Sequence, residues 1–230
     1  MTGFFPLPRR RTGCYPPPVD FELANALGRI VELKDRSTAA HTWRVTMYAQ
    51  AVAEAARVET PRLMSFMLGA VLHDIGKIGV PEAVLRKSGR LDDDEFALIR
   101  QHPQTGYRIL KDIPQIRDLL PGVLCHHEAW NGTGYPAGLA EEEIPLLARI
   151  VAICDSFDAM SSSRTYRAAM PRDEVLAEIG RCAGRLYDPR LVPVFLGMDL
   201  TEYDRLLARD GAGIEAIDPE AGGSNERRAA

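Results

Sequence analysis

All five histidines of the chain belong to a group of residues that can bind divalent metal ions. The group combines a lone histidine, a histidine followed by an aspartate, a histidine before a proline, a histidine pair and a late aspartate. Its members are His41, His73, Asp74, His102, His126, His127 and Asp155. Imidazole and carboxylate are ligands that zinc, manganese, iron and related ions take at neutral pH. The set therefore points to metal-assisted hydrolysis.

Each member has an ordinary structural alternative when it is considered alone. His41 lies on an apolar helical face, where a lone histidine is more often a core residue than a ligand. Asp74 can act as a capping carboxylate for the turn that follows it. His126 and His127 would diverge by about 100° on a helix, so both reach one cluster only at its rim. Together the members supply more ligands than one tetrahedral ion uses, which favours a two-metal site.

Composition places the chain among ordinary globular proteins. It has 230 residues, of which 46% are hydrophobic and 26% charged, so one domain with a sizeable core is expected. The net charge of -4 argues against attraction to nucleic acid. The four cysteines form no C-x-x-C pair, which is typical of reduced thiols. No apolar run reaches the ~18 residues of a membrane span, and the segment after Arg9-Arg10-Arg11 does not resemble a secretory signal. We therefore expect a cytoplasmic protein without nucleic-acid or membrane partners.

Hydrophobic periodicity predicts an all-α fold without strands of useful length. One predicted helix begins at Asp20, and a second runs from Thr38 to about Arg57. A third has its N-cap at Thr60 and continues through His73-Asp74, and a fourth runs from the acidic run at 92–95 through Arg100. Further helical segments are predicted over 103–111, 114–128, 146–160, 172–184 and 189–197. The expected organisation is a flexible lead-in over 1–19, one folded domain over 20–198, and a short helix with a disordered tail over 199–230.

Three segments resemble the motifs of the HD-GYP domain family, a branch of the HD phosphohydrolase superfamily. They are HDIGKIGVP at 73–81, HHEAWNGTGYP at 126–136, and DSFDAM at 155–160 followed by RTYR at 164–167. The resemblance extends over roughly residues 28 to 196. It implies an HD-domain helical bundle with C-terminal HD-GYP extension helices. It also implies a phosphodiesterase that opens cyclic di-GMP to linear pGpG, and in some members to GMP.

The resemblance also implies roles for single residues. The implied metal ligands are His41, His73, Asp74, His102, His126, His127 and Asp155. Asp74 bridges two ions, with His73 and Asp155 serving one and the later histidines the other. Asp74 and Lys77 are the implied catalytic residues. The implied substrate contacts are Lys77, Gly134, Tyr135, Arg164 and Arg167.

The implied cofactor is a pair of divalent ions, iron or manganese in the first place, with zinc, nickel or cobalt as alternatives. Members with a third ion carry a glutamate where this chain has Ser37, which argues against a third metal. Asn131 stands where an aspartate is usual, and Ser88 where a proline is common, and neither change removes a ligand. The mechanistic hypothesis is in-line hydrolysis in which a metal-bridging hydroxide attacks phosphorus.

Two other functions stay open. One is an HD-type hydrolase of nucleotide mono- or triphosphates, which would leave His102 and the histidine pair unexplained. The other is a module that binds a cyclic dinucleotide or a protein without turnover, and a diguanylate cyclase (GGDEF) protein is the implied partner. In the loop at 131–136, Gly132 and Gly134 are expected to take positive φ, and Tyr135 to stack on a guanine. Glu128 and Asp158 are candidates for orienting ligand imidazoles.

Overall fold

The structure of the chain is a computed structural model that describes residues 41–87, 89–162, 168–201 and 203–205, together with 26–28, 30, 31 and 34. In this part of the chain the named regular elements are helices. The α-helices are α1 (His41–Ala55), α2 (Thr60–Leu72), α3 (Glu82–Leu85), α4 (Asp93–Ile99), α5 (His102–Leu110), α6 (Leu120–Cys125), α7 (Leu146–Ser161), α8 (Arg172–Arg181) and α9 (Leu191–Leu196). Turns of 3-10 helix cover Ile75–Gly79, Pro114–Leu119 and Glu141–Glu143. The predicted all-α class is confirmed.

The main core joins helices from both ends of the described chain. Tyr48 of α1, Phe157 of α7 and Phe195 of α9 meet Tyr203 there, and all of these side chains are buried. The ring centroids of Tyr48 and Tyr203 lie 4.6 Å apart, and those of Phe157 and Phe195 lie 5.0 Å apart. Aromatic pairs at such distances contribute about 0.5–1.5 kcal/mol beyond the burial of their surface. The cluster therefore fixes α1 against α7, and each of these helices carries a predicted metal ligand.

A second apolar core lies beneath the other predicted ligands. α2 contributes to both cores, because Phe66 and Ala70 lie on one helical face and Leu68 and Leu72 on another. Val123 of α6 is also buried in the second core. The ligand-bearing segments that follow α2 and α6 therefore begin from a shared packing unit.

Two glycines allow α2 and α6 to lie close to the first turn of α7. A Cβ atom at Gly69 or Gly122 would lie 2.3 Å from Cδ2 of Leu147. That distance is far below van der Waals contact. Larger side chains at these positions would have to displace the side chain of Leu147.

Most predicted helices are present, and the differences lie at their ends. α2 begins one residue earlier than predicted, because its N-cap is Glu59 and not Thr60. α8 ends at Arg181, before the predicted residue 184, and Gly184 takes a positive φ of 72°. The acidic run at 92–95 forms the N-terminus of α4, as predicted.

The prediction of one helix over 114–128 is wrong. The chain forms a 3-10 turn over Pro114–Leu119 and then α6 over Leu120–Cys125. Pro121 lies in the first turn of α6, and because it has no N–H to donate, an α-helix does not pass through it unbroken. The pair His126-His127 consequently lies in a turn after α6.

Several predictions concern residues outside the described part of the chain. These residues are the lead-in at 1–19, Ser37, Ser88, Arg164, Arg167 and the tail after 205. The domain boundaries, and the assignment of the last helices as an HD-GYP extension, stay predictions. Among the described helices, none has both the length and the apolar character that crossing a membrane requires.

Candidate metal centre

The predicted ligands come from the ends of helices and from one helix interior. His41 is the first described residue of α1, His102 is the first residue of α5, and Asp155 lies within α7. His73 caps the C-terminus of α2, and Asp74 precedes the 3-10 turn Ile75–Gly79. The structure brings these residues and His126-His127 together.

The ligand atoms form two groups. The carboxylate trio consists of His41, His73 and Asp155, and the histidine trio consists of His102, His126 and His127. Within each trio the candidate ligand atoms lie within 4.8 Å of one another. Each trio has the residue types and spacing of a divalent-cation site.

Asp74 lies between the two trios. Its Oδ2 atom is 3.3 Å from Nε2 of His73 and 4.0 Å from Nε2 of His41. Its Oδ1 atom is 3.2 Å from Nε2 of His102. One oxygen thus faces each trio, which is the placement that a bridging carboxylate requires.

Backbone carbonyls hold three of the imidazoles in one tautomer. Nδ1 of His73 donates to the carbonyl of Ala70 at 2.6 Å. Nδ1 of His102 donates to the carbonyl of Ile99 at 2.8 Å, and Nδ1 of His126 donates to that of Val123 at 2.7 Å. A carbonyl oxygen only accepts, so each Nδ1 carries the proton. In the neutral ring, Nε2 is therefore left with its lone pair directed into the centre, as in metal-binding histidines.

The contacts among these Nε2 atoms fit bound cations. Nε2 of His102 and Nε2 of His126 lie 3.0 Å apart, both buried. Two neutral rings in this tautomer have no proton between these atoms, so the lone pairs repel unless a positive charge is shared. Nε2 of His73 is buried without a hydrogen-bond partner, which is costly unless a ligand satisfies it. The donor set therefore fits divalent metal ions.

His41 and His127 favour different protonation states. Burial lowers the pKa of His41, but hydrogen bonds to Asp155 and Asp158 outweigh it and raise the pKa to about 9. Burial and the neighbouring His102 lower the pKa of His127 to about 4. Asp155 and Asp158 thus favour a positive charge on His41, whereas His127 keeps a neutral ring, the form that binds metal.

Asp158 orients His41 from behind the carboxylate trio. Its Oδ2 atom accepts from Nδ1 of His41 at 2.6 Å. Arg44 donates to the same carboxylate at 2.5 Å and 3.1 Å, and the Tyr203 hydroxyl donates at 3.0 Å. Burial raises the pKa of Asp158, but these bonds to His41 and Arg44 lower it more, so the carboxylate stays ionised. Sequence reasoning proposed Asp158 for this role, and the geometry agrees with it. It missed Arg44.

A glycine sets the distance between Asp74 and His102. A Cβ atom at Gly76 would lie 1.8 Å from the carbonyl oxygen of His102 and 2.5 Å from the amide nitrogen of Gly106. The 3-10 turn after Asp74 therefore packs directly on the backbone of α5. Larger residues at 76 cannot maintain this approach.

The loop after the histidine pair places Tyr135 against the centre. The Tyr135 ring stacks on His127 with centroids 4.8 Å apart, and the Arg100 guanidinium lies 4.4 Å from the Tyr135 centroid. Gly132 has the expected positive φ of 77°. Gly134 does not, and that expectation is wrong. Glycine is needed there because a Cβ would lie 2.2 Å from the amide nitrogen of Ala129.

Two further loop residues have structural contacts. Oε1 of Glu128 accepts from the amide of Ala137 at 2.7 Å, so the described contact is with the loop and not with an imidazole. Oδ1 of Asn131 accepts from the amide of Thr133 at 3.2 Å and from its hydroxyl at 2.7 Å. An aspartate would accept the same bonds, so Asn131 preserves this turn.

A cleft of about 890 Å³ opens onto the centre. Asp74, Asp155, His102 and His127 lie at its wall, and the other ligands lie behind them. Its remaining lining is Lys77, Val84, Leu85, Lys87, Gly89, Arg90, Leu91, Asp92, Asp93, Phe96, Ile99, Tyr135 and Ala159. The volume falls within the ~300–1,000 Å³ typical of small-molecule sites.

Lys77 and Tyr135, both predicted to touch substrate, reach the cleft. Nζ of Lys77 is 2.7 Å from Oδ2 of Asp74. Gly134 is not among the lining residues, and its substrate role stays a prediction. Sequence reasoning missed Arg100 and Phe96, which read as ordinary residues of a helix end.

Comparison with known proteins agrees with this architecture. A profile of the HD domain family matches residues 25–191. The cyclic di-GMP phosphodiesterase of Thermotoga maritima is 40% identical over 181 residues, 78% of this chain and 49% of that protein. The 3'3'-cGAMP-specific phosphodiesterase 3 of Vibrio cholerae is 39% identical over 155 residues, 67% of this chain and 34% of that protein. Bd1817, an HDG"Y"P protein from Bdellovibrio bacteriovorus, superimposes with a TM-score of 0.58 at 21% identity, covering 76% of this chain and 62% of that one.

The chain therefore belongs to the HD domain family. The resemblance to HD-GYP domains that the motifs indicated is confirmed. The chain spans about half the length of the Thermotoga protein.

Proposed function

We propose that the chain is a metal-dependent phosphodiesterase that hydrolyses cyclic di-GMP. The observation that carries the proposal is the pair of ligand trios joined by Asp74 at the wall of one cleft. A hydrolase of simple nucleotides that needs only His41, His73, Asp74 and Asp155 would leave the histidine trio without a purpose.

The carboxylate trio would hold one divalent ion, the histidine trio the other, and Asp74 would contact both. Iron and manganese are the first candidates, because mixed imidazole and carboxylate sites suit both. When bound, such a pair lowers the pKa of water and stabilises the charge that develops on a phosphodiester during in-line displacement.

The protein groups around the ions position the phosphate. Lys77 lies beside Asp74 and lines the cleft, so its ammonium can neutralise a non-bridging phosphate oxygen. Tyr135 lines the cleft while its ring contacts His127 and Arg100, so it is held at the wall, where it is proposed to contact the substrate. Arg164 and Arg167, from the motif resemblance, are proposed to hold substrate phosphate.

The proposed substrate rests on the relatives and on the cleft. The Thermotoga relative is named for cyclic di-GMP and the Vibrio relative for 3'3'-cGAMP, at nearly equal identity. Both are cyclic dinucleotides, and cyclic di-GMP is the one we propose. The expected product is linear pGpG, with GMP formed only if a second hydrolysis follows. A diguanylate cyclase partner stays a prediction from the motifs.

The test follows hydrolysis and metal content together. The full chain is loaded with Mn(II), or with Fe(II) under anaerobic conditions, and cyclic di-GMP, pGpG and GMP are separated by chromatography. The expected result is conversion of cyclic di-GMP, with 3'3'-cGAMP cleaved more slowly. Asp74→Asn should lose turnover and most of the bound metal.

Asp118→Asn is the matched control, because Asp118 is exposed and lies outside the centre. It should retain both metal and turnover. Tight binding of cyclic di-GMP without product, under either metal, would favour a receptor and contradict the proposal. Faster cleavage of 3'3'-cGAMP would show that it is the preferred substrate, and the proposed phosphodiester hydrolysis would still hold.

A further inference from the structure

Phe96 is a large apolar side chain that the fold leaves uncovered beside the candidate centre. Its exposed fraction is 50%, the largest among the exposed large apolar side chains of the described residues. It nevertheless lines the cleft that opens onto Asp74 and His127. Exposed phenyl surface in a concave site loses contact with water when a flat apolar group covers it, and this favours binding.

Two side chains connect Phe96 to the histidine trio. The Arg100 guanidinium lies 5.9 Å from the Phe96 ring centroid and 4.4 Å from that of Tyr135. Tyr135 in turn stacks on His127. A series of contacts therefore leads from His127 through Tyr135 and Arg100 to Phe96 on α4.

Charged groups near Phe96 bind one another. Lys87 contacts the carboxylates of Glu95 and Asp92. Asp92 also accepts from the amide of Glu95, as the N-cap of α4. Lys87 and Asp92 are thus bound within the protein, and Phe96 supplies an apolar surface beside them on which a flat ring can lie.

We propose that Phe96 forms a wall of the cleft that binds one purine base of the cyclic dinucleotide, with the base stacked on Phe96 and the Arg100 guanidinium beside it. This inference rests on the proposed function, because it assigns a subsite to the same substrate. Stacking tolerates either purine, so Phe96 contributes to affinity.

Steady-state kinetics on three variants test the wall. Phe96→Ala should raise the KM for cyclic di-GMP between about 5-fold and about 150-fold, the range that base stacking corresponds to, with kcat changed less than about twofold. Phe96→Trp should keep the wild-type KM or lower it. Leu98→Ala is the control, because Leu98 is 39% exposed on the same helix and outside the cleft lining. It should change neither constant.

Fluorescence supplies a readout that does not need turnover. In Phe96→Trp, cyclic di-GMP should quench the introduced indole before hydrolysis, in a stopped-flow experiment, and Leu98→Trp should show no added quenching over wild type. If Phe96→Ala hydrolyses cyclic di-GMP with an unchanged KM and Phe96→Trp shows no quenching, the proposed wall is overturned. The proposed phosphodiesterase activity would still hold in that case. Quenching without hydrolysis would support the wall and overturn the proposed reaction. An equal rise in KM in Phe96→Ala and Leu98→Ala would mean a general disturbance of α4. That result would also overturn the proposed wall.

Discussion

Asp158 is the residue on which the orientation of His41 depends. Its carboxylate is buried and accepts from His41, from Arg44 and from the Tyr203 hydroxyl. A buried carboxylate is stable only when such donors offset its desolvation. The same contacts hold the imidazole of His41 with Nε2 towards Asp155 at 3.2 Å. One side chain therefore connects core stability with the geometry of the candidate centre.

Asp158→Asn should weaken both stability and metal binding. The amide keeps the size of the side chain but removes the Asp158 charge from beside the buried Arg44, and breaking a buried ion pair in this way costs about 3–5 kcal/mol of unfolding free energy. Loss of the carboxylate behind His41 should reduce metal affinity about 10–100-fold. Urea unfolding and calorimetric Mn(II) titration measure the two effects. Asp112→Asn, at an exposed turn, should leave both unchanged. Unaltered metal affinity in Asp158→Asn would contradict the orienting role.

At the scale of elements, the contact between the 3-10 turn and α5 determines whether Asp74 reaches His102. Gly76→Ala places a methyl group where the carbonyl of His102 lies, so turn and helix must separate. Overpacking of this kind costs about 1–3 kcal/mol, and the shift should also reduce metal content. Gly180→Ala in α8 is the control, since its Cβ would lie 3.7 Å from the nearest atom, on Leu196. It should stabilise by up to about 1 kcal/mol. Full metal loading of Gly76→Ala would show that this contact does not position the ligands.

Asp188 joins α7 to the start of α9 and makes this junction sensitive to acid. Its carboxylate accepts from Arg149 at 2.7 Å and from the amide of Arg190 at 2.9 Å. Burial raises the pKa of Asp188, but the bonds from Arg190 and Arg149 lower it more, so the folded pKa is depressed. A carboxylate whose pKa is lowered in the folded state contributes its full stabilisation above its unfolded pKa, about 3.9. It loses that contribution as the pH falls through the pKa of the folded state.

Asp188→Asn should therefore lower the unfolding free energy by about 1.5–3 kcal/mol at neutral pH. The difference from wild type should be constant between about pH 5 and pH 8 and shrink below about pH 4. Denaturant unfolding at several pH values measures it. Glu142→Gln is the matched control, because Glu142 contacts the same Arg190 but is exposed. It should cost less than about 1 kcal/mol at any pH. A deficit in Asp188→Asn that persists unchanged in acid would refute the assigned charge contribution.

At the scale of the whole molecule, the sequence allowed the metal ligands to be predicted but not the contacts between residues that are distant in the chain. The ligand set could be predicted because imidazoles and carboxylates stand in recognisable motifs. The pairing of Arg44 with Asp158 could not, since these residues are 114 positions apart and a lone arginine on a helix reads as solvated. The break before α6 was missed because apolar spacing outweighed Pro121 in the prediction. Arg100 and Phe96 were missed for the same reason as Arg44, since their importance comes from the loop that folds against them.

Metal removal should destabilise the entire fold, because the two trios and Asp74 draw their ligands from helices and turns between residues 41 and 155. Ions bound to the folded state alone stabilise it by about 2.7 kcal/mol per site at a free concentration 100-fold above Kd. For a chain of this size, that corresponds to roughly 5–10 °C in Tm per site. Calorimetry before and after chelation, with metal content measured in parallel, should show this fall and its reversal when Mn(II) is restored. Asp74→Asn should melt at the lower temperature in both conditions. An unchanged Tm after proven metal loss would mean that the trios are assembled by packing alone, and that the cations do not stabilise the bundle.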